Sequence, residues 1–455
     1  MPLAATAQHF LDVAAEGPDL HQLAPEQARA AIAALTPAFG IGDPVERIED
    51  LEVPGPVGPV PVRLYHPGGS RRLPLLVYLH GGGWMLGGIP FADSLCRKLA
   101  ARGNCVVVSI DYPLAPEHPY PAAVDAGYAV LSWAAAHASE LGADSGRIAI
   151  GGDSAGGNLA AVLAQLARDR GGPSLAFQLL LFPSTDLTLD FDSIDKLADG
   201  YFLTRDAIRH FIAQYAGDHD IATPALSPLR ADDHAQLPPA FIVTAEFDPL
   251  RDDAAAYTAA LHAAGVPATL EDFDGQIHSF LVLGDLFAAD ANAAVDKVAA
   301  ALRGALSPVQ PPATGLTFPL DALPHGVGDA AVVFFYPKAG SQVCSAETRA
   351  FELAYDKFVE ADIALFGMST DDGETQSEFA ATCGARFPLV SDVGATTARA
   401  LGLLKHYDGH GDFADRVTLL LDGEGTVRQT WQVGEVAGHP EEVLAAAKAL
   451  KNTRP

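Results

Sequence analysis

The sequence predicts an α/β protein of two units, and three observations carry that expectation. Apolar runs of strand length alternate with helical stretches along most of the 455 residues. A proline-rich, uncharged segment, SPVQPPATG at 307–315, interrupts the alternation and reads as a semi-rigid linker. Two nucleophile motifs of different chemistry lie on either side of it: a serine between glycines and a cysteine at the start of a helix. The length itself exceeds what one hydrophobic core usually serves. The expected division is 1–306, a linker over 307–316, and 317–455.

Residues 1–45 are Ala-rich and read as helical, with no catalytic signal. LPLLVYLH (73–80), CVVVSIDY (105–112), RIAIGG (147–152), FQLLLFP (177–183), AFIVTAEFD (240–248) and ATLEDF (268–273) are short, mostly apolar runs and read as strands. NLAAVLAQLARD (158–169) follows the third of them as a helix. Continuous apolar strands separated by helices indicate a mostly parallel sheet covered on both faces. Residues 187–225 break the rhythm with a helical segment, YFLTRDAIRHFIAQYAG, and read as an insertion lying over the sheet. After the linker, AVVFFYP (331–337), IALFGMS (363–369), FPLVSD (387–392) and VTLLLDGEGTVRQTW (417–431) are further strands, the last folding back at Asp422-Gly-Glu-Gly425.

The net charge of −28 argues against nucleic acid and anionic membrane surfaces as partners, since phosphate contact needs a basic face. No apolar run approaches the ~20 residues a membrane span requires. The N-terminus has no basic start followed by an apolar stretch, so the cytoplasm is the default location. Four cysteines, Cys96, Cys105, Cys344 and Cys383, are too few for a disulfide scaffold, and no CxxC pair is present. Neither site calls for a metal or a bound cofactor.

Gly152-Asp153-Ser154-Ala155-Gly156 sits between a strand and a helix. A nucleophile lifted above a sheet edge occupies a tight, strained turn, so its neighbours must be small. The turn also aims the Ala155 amide and the helix N-terminus at developing negative charge. His80-Gly81-Gly82-Gly83-Trp84 ends an earlier strand, and consecutive glycines let backbone N–H groups approach a substrate oxygen. Gly81, Gly82 and Ala155 are the expected oxyanion donors. A phosphate-binding glycine loop is the plain alternative, but no Gly-Lys-Ser/Thr follows and no dinucleotide spacing is present. The acid is expected at Asp248, directly after a strand, with Asp252 and Asp253 as rivals that look like solvated residues of a helix start. The base is expected at His278, after one more strand. The order serine, acid, histidine is that of a Ser-His-Asp hydrolase on an α/β sheet.

Pro337-Lys338-Ala339-Gly340-Ser341-Gln342-Val343-Cys344 is the second motif. Cys344 lies at a helix N-terminus, where unpaired N–H groups favour a thiolate. Ser341 can hydrogen-bond the sulfur and a bound peroxide oxygen, Pro337 shields them, and Arg416 can supply positive charge. A buried structural cysteine is the reading for Cys344 taken alone. Cys96 and Cys105 are read as core residues.

HGGGW, DYPLAPEHPYPAA (111–123), GDSAGG, DPLRDD and the final His278-Ser279-Phe280 resemble the bacterial hormone-sensitive-lipase family of α/β-hydrolases over about residues 1–305. That resemblance implies carboxylesterase activity on short acyl chains and a helical cap built from about 1–45 and 187–225. Pro113 stands where the family usually has Arg. The Pro-x-x-x-Ser-x-x-Cys run, with FFYPK before it and Glu347 after, is similar to peroxiredoxins of the bacterioferritin-comigratory type over about 317–455. It implies a thioredoxin fold and thiol-dependent reduction of hydrogen peroxide and organic hydroperoxides through a sulfenic acid at Cys344. Gln342 replaces a common Pro, and Arg349 stands where many of this branch carry the resolving cysteine. Two routes of recycling stay open: Cys383 resolves Cys344, or an external thiol reduces it directly.

The expected protein is therefore a bifunctional enzyme. Its partners are a small acyl ester, a hydroperoxide and a thiol reductant, thioredoxin-like or of low molecular weight, with a homo-oligomer left open. The competing expectation is an esterase whose C-terminal unit only binds or dimerises.

Overall fold

The computed structural model describes residues 2–17, 19–69, 72–306, 314–407, 411–433, 436 and 438–452. The chain divides into two compact units, Met1–Leu306 and Ser307–Pro455.

The first unit is built on eight strands: β1 (Arg47–Gly55), β2 (Gly58–His66), β3 (Leu73–Leu79), β4 (Val106–Ile110), β5 (Ala143–Asp153), β6 (Phe177–Leu181), β7 (Ala240–Phe247) and β8 (Ala268–Ile277). They form one sheet in the order β1-β2-β4-β3-β5-β6-β7-β8. The β1–β2 and β2–β4 pairs are antiparallel, and every other neighbouring pair is parallel. The apolar run of β3 is continuous because both of its faces are covered. Leu75, Val77 and Leu79 enter one core, while Leu76 and Tyr78 enter the core on the opposite side. The β1–β2 hairpin, with its Pro- and Gly-rich text LEVPGPVGPVPV, was not distinguished in the sequence.

Parallel strands bring their C-terminal ends to one edge of the sheet. Ser154 follows β5, Asp248 follows β7, His278 follows β8, and His80 begins the glycine run after β3. The helices Ala5–Ala14 and Pro25–Leu35 and the insertion helices Asp192–Lys196 and Arg205–Ala216 supply further cover. The N-terminal segment and the insertion meet at Phe10–Phe202, 5.1 Å between ring centroids, and at His21–His210, 6.2 Å. Arg29 ties the second N-terminal helix down, donating from Nε to Met85 O (2.9 Å) and from Nη2 to Ala115 O (2.8 Å).

The second unit holds β9 (Ala330–Phe335), β10 (Ala364–Ser369), β11 (Leu389–Ser391), β12 (Leu404–Tyr407), β13 (Gly411–Ala414), β14 (Val417–Asp422) and β15 (Val427–Gln432). Five of them form a mixed sheet, β11-β10-β9-β14-β15, and β12 and β13 form a separate hairpin. The expected linker is shorter at its C-terminal end than 316. Gly315 N donates to Val427 O and Val427 N to Leu316 O, so these residues pair with β15; residues 307–313 lie outside the described residues. Among the described residues, no helix is long and apolar enough to cross a membrane.

Candidate active sites

β5 ends at Asp153, and Ser154 takes φ 54°, ψ −118° before the helix Ala155–Asp169 begins. That left-handed backbone is uncommon for a residue with a Cβ and marks a strained turn. The turn survives because the residues two positions before and after Ser154, Gly152 and Gly156, carry no side chains. A Cβ on Gly156 would lie 2.0 Å from Leu79 O, and one on Gly152 would lie 2.4 Å from Gly156 O. β3, β5 and the helix can therefore approach only with glycine at both positions.

The structure brings the three expected residues together. His278 Nε2 is 2.9 Å from Ser154 Oγ, and His278 Nδ1 is 2.7 Å from Asp248 Oδ2. Asp248 and His278 are both buried, and Asp248 Oδ1 also accepts from Leu250 N at 2.9 Å. The Phe182 ring lies 5.1 Å from that of His278, at 61° to it. Of the rivals, Asp252 Oδ2 accepts from Ser193 N at 3.0 Å. Asp253 is not the solvated residue expected. It is fully buried, accepts from the Thr185 and Asp186 amides, and burial raises its pKa to about 7. It organises the start of the insertion, away from the imidazole.

The glycine run departs from expectation at Gly81. Its amide hydrogen is committed to Asp153 Oδ1 at 2.9 Å, so Gly81 is not an oxyanion donor. Among the described residues, neither Gly82 nor Gly83 donates its amide to a protein acceptor. Ala155 is the first residue of its helix, where no residue four back accepts its N–H. The available donors are thus Gly82, Gly83 and Ala155. Asp153 fixes the loop from below: Tyr78 Oη donates to the same carboxylate oxygen at 2.8 Å, and the carboxyl is fully buried. Burial raises the Asp153 pKa to about 6 in spite of these two bonds. His80 is buried too, and burial lowers its pKa to about 4; its ring stacks on Tyr112 at 4.2 Å. Its Nδ1 is 2.7 Å from Gly81 O, within the loop itself.

In the second unit, Ser341 caps the helix Gln342–Glu360, accepting from Cys344 N at 3.4 Å. Cys344, in the first turn, is fully buried. β14 runs antiparallel to β9 with Val417 opposite Phe335, which sets Arg416 beside the loop that follows β9. Arg416 Nη2 donates to Cys344 Sγ at 3.3 Å, and Nη1 is bonded to Glu347 Oε2. Burial opposes the Arg416 charge, but Cys344 and Glu347 beside it hold its pKa above the ordinary arginine value. Glu347 is itself buried, which raises its pKa against the pull of Arg416. Pro337 is half-buried at the head of the loop. The loop is braced from the other side: Ala339 N donates to Asp371 Oδ2 at 2.6 Å, and Tyr336 Oη is bonded to Gln376 Oε1.

Cys383 lies in a segment that looks exposed in sequence, yet only 7% of it is accessible. It closes the helix Gly373–Cys383 and packs in the same core as Cys344. Burial raises its pKa, opposed by Arg349 and by a hydrogen bond with Ser345, the residue after Cys344. Cys96 and Cys105 are free and buried in the core of the first unit. No cluster of three or more metal-ligating side chains occurs among the described residues.

Residues 76–282 match the alpha/beta hydrolase fold family, and residues 310–430 match the AhpC/TSA family. The carboxylic ester hydrolase LipN of Mycobacterium tuberculosis is 48% identical over 269 residues, which cover 58% of this chain and 71% of that protein. The carboxylesterase NlhH of the same organism is 50% identical over 228 residues, covering 49% of this chain and 71% of NlhH. Among solved structures, a hyperthermophilic esterase from Pyrobaculum calidifontis is 38% identical with a TM-score of 0.63, covering 67% of this chain and 98% of that one.

Proposed function

Since the chain belongs to the alpha/beta hydrolase fold family through its first unit and carries a thioredoxin-fold AhpC/TSA domain as its second, we propose that it is a carboxylesterase fused to a thiol peroxidase. The observation that carries the first half is the unbroken array from Ser154 Oγ through His278 to Asp248, at 2.9 and 2.7 Å. Ser154 Oγ attacks the ester carbonyl and gives its proton to His278 Nε2, while Asp248 holds the imidazole in orientation. The oxyanion is received by the amides of Gly82, Gly83 and Ala155. His278 then protonates the departing alcohol, and water releases the acid from the acyl-serine. The substrates are short-chain acyl esters, in keeping with the hormone-sensitive-lipase motifs. Ser154→Ala is expected to lower hydrolysis of nitrophenyl acetate or butyrate by about 10⁴-fold or more. Hydrolysis that survives the substitution overturns this half.

The second half rests on Arg416, which meets both Cys344 and Glu347. The Cys344 thiolate attacks one oxygen of a hydroperoxide, the O–O bond breaks, and water or an alcohol leaves as the sulfur becomes a sulfenic acid. Cys383 then attacks that sulfur and forms a disulfide with loss of water, and an external thiol reduces the disulfide. Burial of both cysteines requires the ends of their helices to unwind locally for this bond to form. Cys383→Ser is expected to leave the first oxidation of Cys344 intact and to abolish disulfide formation, read by intact mass after one equivalent of peroxide. If the variant turns over normally with a thioredoxin system, Cys344 works alone. If the wild-type chain shows no adduct at Cys344 at all, the second unit is a binding module. The chain acts in the cytoplasm on this reading.

A further inference from the structure

The glycine run that offers the oxyanion donors does not hold its shape unaided. Gly82 and Gly83 take φ of 109° and 60°, and Trp84, which has a large side chain, takes φ 56°. A tryptophan in the left-handed region stays there only where its surroundings over-determine it. On the side of the insertion those surroundings are supplied by the helix Arg205–Ala216. Its Tyr215 stacks on Trp84 with the rings 4.6 Å apart and 2° from parallel, both residues being buried. One turn earlier, Phe211 lies directly on Gly83: a Cβ there would stand 2.4 Å from the Phe211 ring. The helix and Trp84 are both tied to the segment that follows β4, since Tyr120 N donates to Tyr215 O at 2.8 Å and Ala115 N donates to Trp84 O at 2.9 Å.

We propose that Tyr215 and Phe211 are positioning residues for the reaction of the first unit, holding the Gly82 and Gly83 amides in the conformation that receives the oxyanion. The inference rests on the esterase reading above. The insertion is then part of the catalytic apparatus as well as a cover. Tyr215 stabilises the strained Trp84 backbone by stacking, and Phe211 prevents Gly83 from relaxing towards the insertion. An amide displaced by about 1 Å gives up much of its share of transition-state stabilisation while substrate binding in the ground state is little affected.

The test compares Tyr215→Leu, Tyr215→Phe and Phe211→Leu in the full chain. kcat and KM are measured with nitrophenyl butyrate, alongside inhibition by an alkyl trifluoromethyl ketone, which forms an oxyanion adduct on the serine. Tyr215→Leu is expected to lower kcat about 10- to 100-fold with KM changed less than about threefold, and to weaken the ketone by the same factor as kcat/KM. Tyr215→Phe keeps the stacked ring and is expected to restore kcat. Phe211→Leu supplies the same reading if Tyr215→Leu fails to fold. Unchanged kcat, a change in KM alone, or ketone affinity that stays at the wild-type level in the folded variant overturns the proposal. A wild-type chain that does not hydrolyse the ester overturns instead the reading on which it rests.

Discussion

Asp153 joins the two halves of the hydrolytic site, since it ends β5 at the serine turn and binds Gly81 in the opposite loop. Its burial carries a stability consequence. The carboxyl has an ordinary pKa of 3.8 and a folded-state value of about 6, so the folded protein binds the proton more tightly than the unfolded chain. Stability from this group is full below pH 3.8 and is lost as pH rises through about 6. Asp153→Asn removes the titration while leaving an acceptor for Gly81 and Tyr78. Its stability relative to wild type is expected to rise by on the order of 2–3 kcal/mol between pH 4 and pH 7. Urea unfolding at both pH values checks this, and a pH-independent difference contradicts it. At this scale the meeting of Ser154, His278 and Asp248 was legible, because the three follow recognisable strands in the order serine, acid, histidine. Which glycine amide was free was not, since that depends on the buried Asp153 carboxylate reaching across 72 residues to Gly81. The burial of Cys383 and Asp253 was hidden for a similar reason: each lies in polar text, and tertiary packing alone decides which way it faces.

The helix Ala155–Asp169 can enter the sheet edge only because Gly156 faces Leu79 O with no side chain. Gly156→Ala is expected to cost about 3 kcal/mol or more, since backbone rather than a flexible side chain must yield. A thermal or urea midpoint for the first unit close to wild type contradicts this. Element by element, the parallel strands were legible because covered strands are continuously apolar. The β1–β2 hairpin and the β12–β13 hairpin were not. The first is rich in proline and glycine, and the second has only four residues in each strand. The insertion helix Arg205–Ala216 was readable as a helix by its spacing. Its grip on Trp84 and Gly83 was not, because a stacked pair between residues 84 and 215 leaves no local pattern.

On the proposed reading the chain carries two chemically unlike nucleophiles, one in each of its two compact units. Ser154 needs a neighbouring base and amide donors. Cys344 has a cation beside it, Arg416, which directly precedes β14. Ser154, His278 and Asp248 all belong to the first unit and Cys344, Glu347 and Arg416 to the second, so each activity is expected to stand without the other's nucleophile. The central claim is tested most directly by assaying ester hydrolysis and hydroperoxide consumption together in full-length Ser154→Ala and Cys344→Ser. The account predicts that Ser154→Ala loses the first and retains the second, and that Cys344→Ser does the reverse. Ester hydrolysis surviving in Ser154→Ala, or peroxide consumption undiminished in Cys344→Ser, would contradict it.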